Sequence, residues 1–296
     1  MASSGLKMLA LLLMFIDHIG EYIPGMPVCL RWMGRLSAPL FVFCVVWSID
    51  YTRDKIKYVI RLYIFSIIMG CLNYCVNTFT PFQEPYREID NNIFRTLFLM
   101  SVILVLIERS RGNVKKRTGY IVLFIIWQIV SSMLCFLLAF LFSRDSFLEI
   151  INPILGNCIS IEGRYFIILG TGMYVFKEHK LKLSLFYVMF CILYFINSLY
   201  DVVPRIIARI DFWSCIDIYG RFVDFHRRGD GVSAFMLNNT LITLFTFDYQ
   251  WMMVFSLPLI LLYNHEKGKG RKYFFHLFYP THIIILYFAG NYICGR

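Results

Sequence analysis

A chain of 296 residues that is 58% apolar, 18% aromatic and only 16% charged departs from soluble domains, in which about a quarter of residues carry charge. A water-soluble globule is excluded, and so is a transmembrane barrel, because the apolar stretches are continuous and lack the alternation of lipid-facing strands. The net charge of +10 does not point to nucleic acid, since more than half of the 29 Lys and Arg fall in four short clusters between apolar runs.

The fold class expected is all-α, a polytopic transmembrane helical bundle forming one domain over residues 1–296. Spans are read near 6–24, 34–51, 57–76, 91–108, 118–142, 163–177, 182–200, 232–247, 248–264 and 273–293, a working count of ten. Lys7 and the following "MLALLLMFI" imitate a secretory signal, but no small-residue cleavage pattern follows, and the run leads into Asp17, His18 and Glu21. The loops after the second, fourth and sixth spans carry the clusters Arg53–Arg61, Arg109–Arg117 and Lys177–Lys182, which places them and the N-terminus in the cytoplasm. Ten simple spans put the fourth cluster, "HEKGKGRK", on the wrong side. The reading preferred is that 232–264 is a broken element crossing once, with 202–230 an aromatic-rich interfacial segment on the outer face. Nine cysteines, most inside apolar runs, show no CxxC pair or Cys/His ligand spacing, so they read as packing residues with no metal.

Ionisable groups inside spans are expensive and therefore informative. At about 1.5 Å per residue, His18 lies roughly 16 Å from Lys7 and His282 about 15 Å from Lys272, similar depths on the first and last helices. Asp17 and His18 are adjacent and point about 100° apart, so Asp17 is expected to pair elsewhere, with Arg35 as one candidate. The other reading of Arg35 is a side chain snorkelling to the headgroups. Tyr279 and His282 share a face three residues apart, with Pro280 loosening the turn between them. These histidines serve equally as interhelical hydrogen-bonding groups, a proton pathway or a catalytic base.

Five ordered blocks carry a family resemblance: "LKMLALLLMFIDHIG", "MGRLSAPLFVF", "YTRDKIKYVIRLYIFSII", "NIFRTLFL" and "LLYNHEKGKGRKYFFHLFYPTHIIILY". The chain resembles the TraX family of integral membrane proteins, akin to the wider transmembrane acyltransferase superfamily. The family's named member acetylates pilin at its N-terminus. The resemblance implies an acetyl-CoA-dependent acyltransferase in a bacterial inner membrane, with His18 as the base, Asp17 orienting it, Tyr279 and His282 completing the site, and Arg35 orienting the acceptor or stabilising developing charge. Asn264, Lys267, Lys269, Arg271 and Lys272 are the candidates for holding the donor, the four cations by contact with coenzyme A phosphates. Partners expected are the acyl-CoA donor, the lipid bilayer and an acceptor that is a pilin-like protein, a glycan or a small molecule.

Two other classes compete with this reading. A proton-coupled transporter or flippase would use Asp17, His18 and His282 as a relay, although no internal repeat is seen. A non-catalytic scaffold for an envelope or conjugation assembly would tolerate alanine at His18.

Overall fold

The computed structural model describes residues 1–80, 89–142, 147–158, 163–200, 244–246, 249–268 and 273–294. Every regular element among the described residues is helical. In chain order they are α1 (Ser3–Tyr22), α2 (Cys29–Gly34), α3 (Ser37–Tyr51), α4 (Lys55–Phe79), α5 (Ile93–Arg109), α6 (Val114–Phe142), α7 (Leu148–Leu155), α8 (Arg164–Phe176) and α9 (Lys180–Tyr200). A 3₁₀ segment (Gln250–Ser256) then runs directly into α10 (Leu257–Leu261), and α11 (Phe274–Cys294) follows.

Local chemistry sets the helix ends. Ile23 precedes Pro24, whose ring disfavours helical backbone at the preceding residue, and α1 stops at Tyr22. Asp54 caps α4 by accepting the Lys57 N–H at 3.0 Å, and Asn92 caps α5 by accepting that of Arg95 at 3.2 Å. Gly156 ends α7 in the left-handed region, at φ 65°, where a side chain would also collide with the Trp127 ring. Pro280 lies inside α11 without ending it.

The bundle is organised around α3, whose residues Leu40 to Trp47 and Ile49 are all buried. It packs against α1, α5, α8 and the 3₁₀ segment. In contrast, α6 sits at the edge and turns Ile121 to Leu123, Ile125, Ile126, Ile129, Val130 and Met133 outward. Such an exposed apolar face is stable only against lipid. Cys44, Cys135 and Cys191 are buried as packing residues, whereas Cys75 faces outward.

Five helical stretches are long and apolar enough to cross a membrane among the described residues: Ser3–Tyr22, Cys29–Tyr51, Lys55–Phe79, Val114–Leu138 and Lys180–Ser198. The elements at Tyr165–Phe176 and Gln250–Leu261 are short, and α11 carries His276, Pro280, His282 and Asn291 in its apolar run. The second span also begins earlier than expected, at Cys29, and is interrupted at Arg35 and Leu36, between α2 and α3.

The basic loops gather at one end of the bundle. Lys55 pairs with Glu108, joining the start of α4 to the end of α5, and Lys177 pairs with Asp50, joining the end of α8 to the end of α3. At the same end Tyr51 bonds the Tyr263 hydroxyl at 2.7 Å and the His265 carbonyl at 2.8 Å, and Ser3 N–H reaches the Glu266 carbonyl at 2.8 Å. Residues 249–264 begin at the opposite end, against Arg31 and Arg35, and finish here. This stretch thus runs from one end of the bundle to the other. Its seven 3₁₀ residues rise about 2.0 Å each, so it covers roughly 22 Å with α10 in fewer residues than an α-helix needs. The segments 81–88, 202–230 and 232–243, and Glu162, Asn238 and Asn239, lie outside the described residues.

Candidate active site

Helices α1 and α11 both start at the basic end and run side by side in the same direction. Phe15 meets Phe278, His18 meets His282, and Tyr22 meets Tyr287 in step along them. This register brings the two histidines together. His18 Nδ1 lies 2.8 Å from His282 Nε2, with ring centroids 5.0 Å apart, ring planes within 14° of each other and both residues buried. The other nitrogen of His282, Nδ1, lies 2.7 Å from the Phe278 carbonyl oxygen one turn back.

Beside the histidines is a charged cluster built from two helical ladders. Asp17 and Glu21 are four residues apart on α1, and Arg31 and Arg35 are four apart on α2 and its C-terminal boundary, so each pair projects from one face. Arg35 grips Asp17 with one nitrogen, 3.1 Å and 3.0 Å from the two carboxylate oxygens, and donates from another to Gln250 at 3.1 Å. Arg31 reaches Asp17 at 3.1 Å and Glu21 at 2.9 Å, and donates to the Tyr249 hydroxyl at 3.0 Å. Two cations thus face two anions in a partly buried setting, where charges are retained only when paired and hydrogen-bonded. Gly34 permits this closeness, since a Cβ there would sit 2.2 Å from the Asp17 Cβ.

Among the residues singled out from the sequence, Asp17, His18, Arg35 and His282 therefore converge. Arg35 turns inward to Asp17 instead of snorkelling outward. Tyr279 flanks His18, with ring centroids 6.3 Å apart, and its hydroxyl accepts the Ile93 N–H at 3.2 Å. The cofactor candidates lie elsewhere. Asn264 donates to Glu266 at 2.9 Å and its N–H bonds the Met1 carbonyl, so it closes the loop at the basic end. Lys267 is exposed at that end, about 22 Å from His18 by the fifteen residue rises from Ser3. Lys269, Arg271 and Lys272 lie outside the described residues. Arg31, Glu21, Tyr249 and Gln250 did not stand out as site residues in the sequence, although the repeated four-residue spacing of Asp17 with Glu21 and Arg31 with Arg35 is a legible signal of a facing ladder.

Residues 2–144 match the model of the family described as TraX protein. Those residues, just under half of the chain, are similar to the TraX family. The matched segment contains His18, Asp17, Glu21, Arg31 and Arg35, while His282, Tyr249 and Gln250 come from beyond residue 144 and complete the same cluster. No curated protein and no solved structure matches the chain.

Proposed function

We propose that the protein is an integral membrane acyltransferase that moves an acetyl group from acetyl-CoA to an amine or hydroxyl acceptor, with His18 as general base. The observation that carries this reading is the buried His18–His282 hydrogen bond, which fixes a histidine ring in one orientation beside a compensated charge cluster. Acyl transfer needs a base held within reach of the acceptor's proton and a site poor in water, and an imidazole ring can both take up and return a proton at one nitrogen. Arg35 is engaged by Asp17 and Gln250, so its role in this reading is to hold the cluster rather than the oxyanion. Lys267 and the neighbouring cations would meet the donor's phosphates at the far end of the bundle, leaving the extended thioester arm to reach His18. The placement that goes with this reading is a bacterial inner membrane with the basic end in the cytoplasm. The acceptor would be a pilin-like protein, a glycan or a small molecule.

The test is binding of acetyl-CoA against free coenzyme A to the purified chain in detergent, together with slow thioester hydrolysis. Selective binding and hydrolysis that disappears in His18→Ala, with thermal stability retained, are the expected results. Absence of binding by folded protein would remove the reading. A second reading, a proton-coupled transporter, draws on the continuity of His282, His18 and Glu21 along one face of the site. It requires His18-dependent proton flux in sealed liposomes without any acyl donor.

A further inference from the structure

The hydrogen bonds of the two histidines determine which nitrogen of His18 is open. The Phe278 carbonyl can only accept, so His282 Nδ1 carries a proton, and a neutral His282 therefore presents a lone pair at Nε2. His18 Nδ1, 2.8 Å away, must donate to that lone pair. The remaining nitrogen of a neutral His18, Nε2, then has a lone pair of its own. What faces it is another acceptor, Glu21 Oε2 at 3.8 Å.

Glu21 is held in that position as an acceptor. Arg31 donates to both of its oxygens, at 2.9 Å and 3.2 Å, and the Asn91 side-chain amide donates to Oε2 at 3.4 Å. Asp17 is turned instead to the arginines, with both its oxygens bound by Arg35 and one also bound by Arg31. His18 Nε2 and Glu21 Oε2 are therefore two acceptors facing each other, an arrangement that a group bringing its own N–H or O–H to both would satisfy. Glu21, 27% exposed at the side chain against 7% for His18, is the more open of the two.

We infer that Glu21, and not Asp17, is the carboxylate that works with His18, acting as a positioning residue for a base whose reactive atom is Nε2. This rests on the acyl-transfer reading. The acceptor's proton passes to His18 Nε2 as its nitrogen or oxygen bonds the acetyl carbon. The carbon–sulfur bond then breaks, and the same proton leaves Nε2 for the departing thiolate of coenzyme A. Glu21 balances the imidazolium between these two events, and His282 keeps the ring in place by accepting the Nδ1–H throughout.

Two measurements on the full chain in lipid nanodiscs test this, nitrogen-15 NMR of labelled histidines and hydrolysis of acetyl-CoA. The expected neutral tautomer of His18 is protonated at Nδ1. Glu21→Gln, whose amide can donate where the carboxylate accepts, is expected to shift the His18 Nε2 resonance while leaving that of the remote His179 unchanged. The same variant should lower kcat for His18-dependent hydrolysis by about a hundredfold with KM for acetyl-CoA retained, and Glu21→Asp should recover part of the loss. A neutral His18 protonated at Nε2, or Glu21→Gln turning over at the wild-type rate, overturns the assignment. If the wild-type chain neither binds nor hydrolyses acetyl-CoA, the acyl-transfer reading fails by itself. The tautomer and the Glu21→Gln shift then decide whether Glu21 faces His18 Nε2: both as expected uphold the geometry, and either one absent overturns it.

Discussion

Gly34 controls how closely α2 can approach Asp17, and it does so by having no side chain. Adding a Cβ puts it within 2.2 Å of the Asp17 Cβ, which is main-chain-proximal and cannot swing away. Gly34→Ala is therefore expected to lower stability by about 1–3 kcal/mol, the usual cost of overpacking, read as a lower thermal midpoint in detergent. An unchanged midpoint would mean that α1 and α2 separate freely and that the ion cluster contributes little. Asp17 and His18 were legible in the sequence because a charged group in the middle of an apolar run is conspicuous. Glu21 was less so, since carboxylates near helix ends usually meet water. Gln250 was not legible as a partner of Arg35, because 215 residues separate them and neither propensity nor periodicity encodes such a contact.

At the scale of single elements, α4 shows how a short polar signal fixes a membrane helix. The Asp54 carboxylate accepts the Lys57 N–H, and that backbone bond, aided by the Lys57 side chain, holds its pKa below the ordinary aspartate value. The sign follows directly. A carboxyl with a depressed folded pKa contributes its stability at pH values above the unfolded pKa and loses it as pH falls through the folded one. Asp54→Asn keeps a capping oxygen without the charge, so acid titration of thermal stability should show less loss below the usual carboxylate range in this variant than in the wild type. Equal acid sensitivity would show that the cap does not need its charge. The caps, the apolar runs and the breaks at Pro24 and Asn92 were readable locally. The 3₁₀ segment was not, because its backbone follows from having to cross beside α3 in few residues, a requirement set by neighbours and not by its own composition.

For the molecule as a whole, the charge pattern of the loops predicted one basic end, and the contacts among Tyr51, Tyr263, His265 and Ser3 place residues 265–268, where the fourth cluster begins, at the end that holds Lys55 and Lys177. Single cysteines at Lys57, Lys115 and Lys267 should all react with an impermeant thiol reagent from one side of sealed vesicles, and a cysteine at Met26, in the turn between α1 and α2, only from the other. Labelling of the Lys267 position together with Met26 would reverse the crossing assigned to residues 249–264. Hydropathy counts apolar length and does not by itself separate a full helix from a short or interrupted element such as the one at Gln250–Leu261. The pairing of α1 with α11 has a biosynthetic consequence. The 264 positions separating His18 from His282 must all be translated and inserted before the two rings can meet. A nascent chain released early carries half of the pair, so truncation before α11 leaves a fragment in which His18 has lost its buried partner.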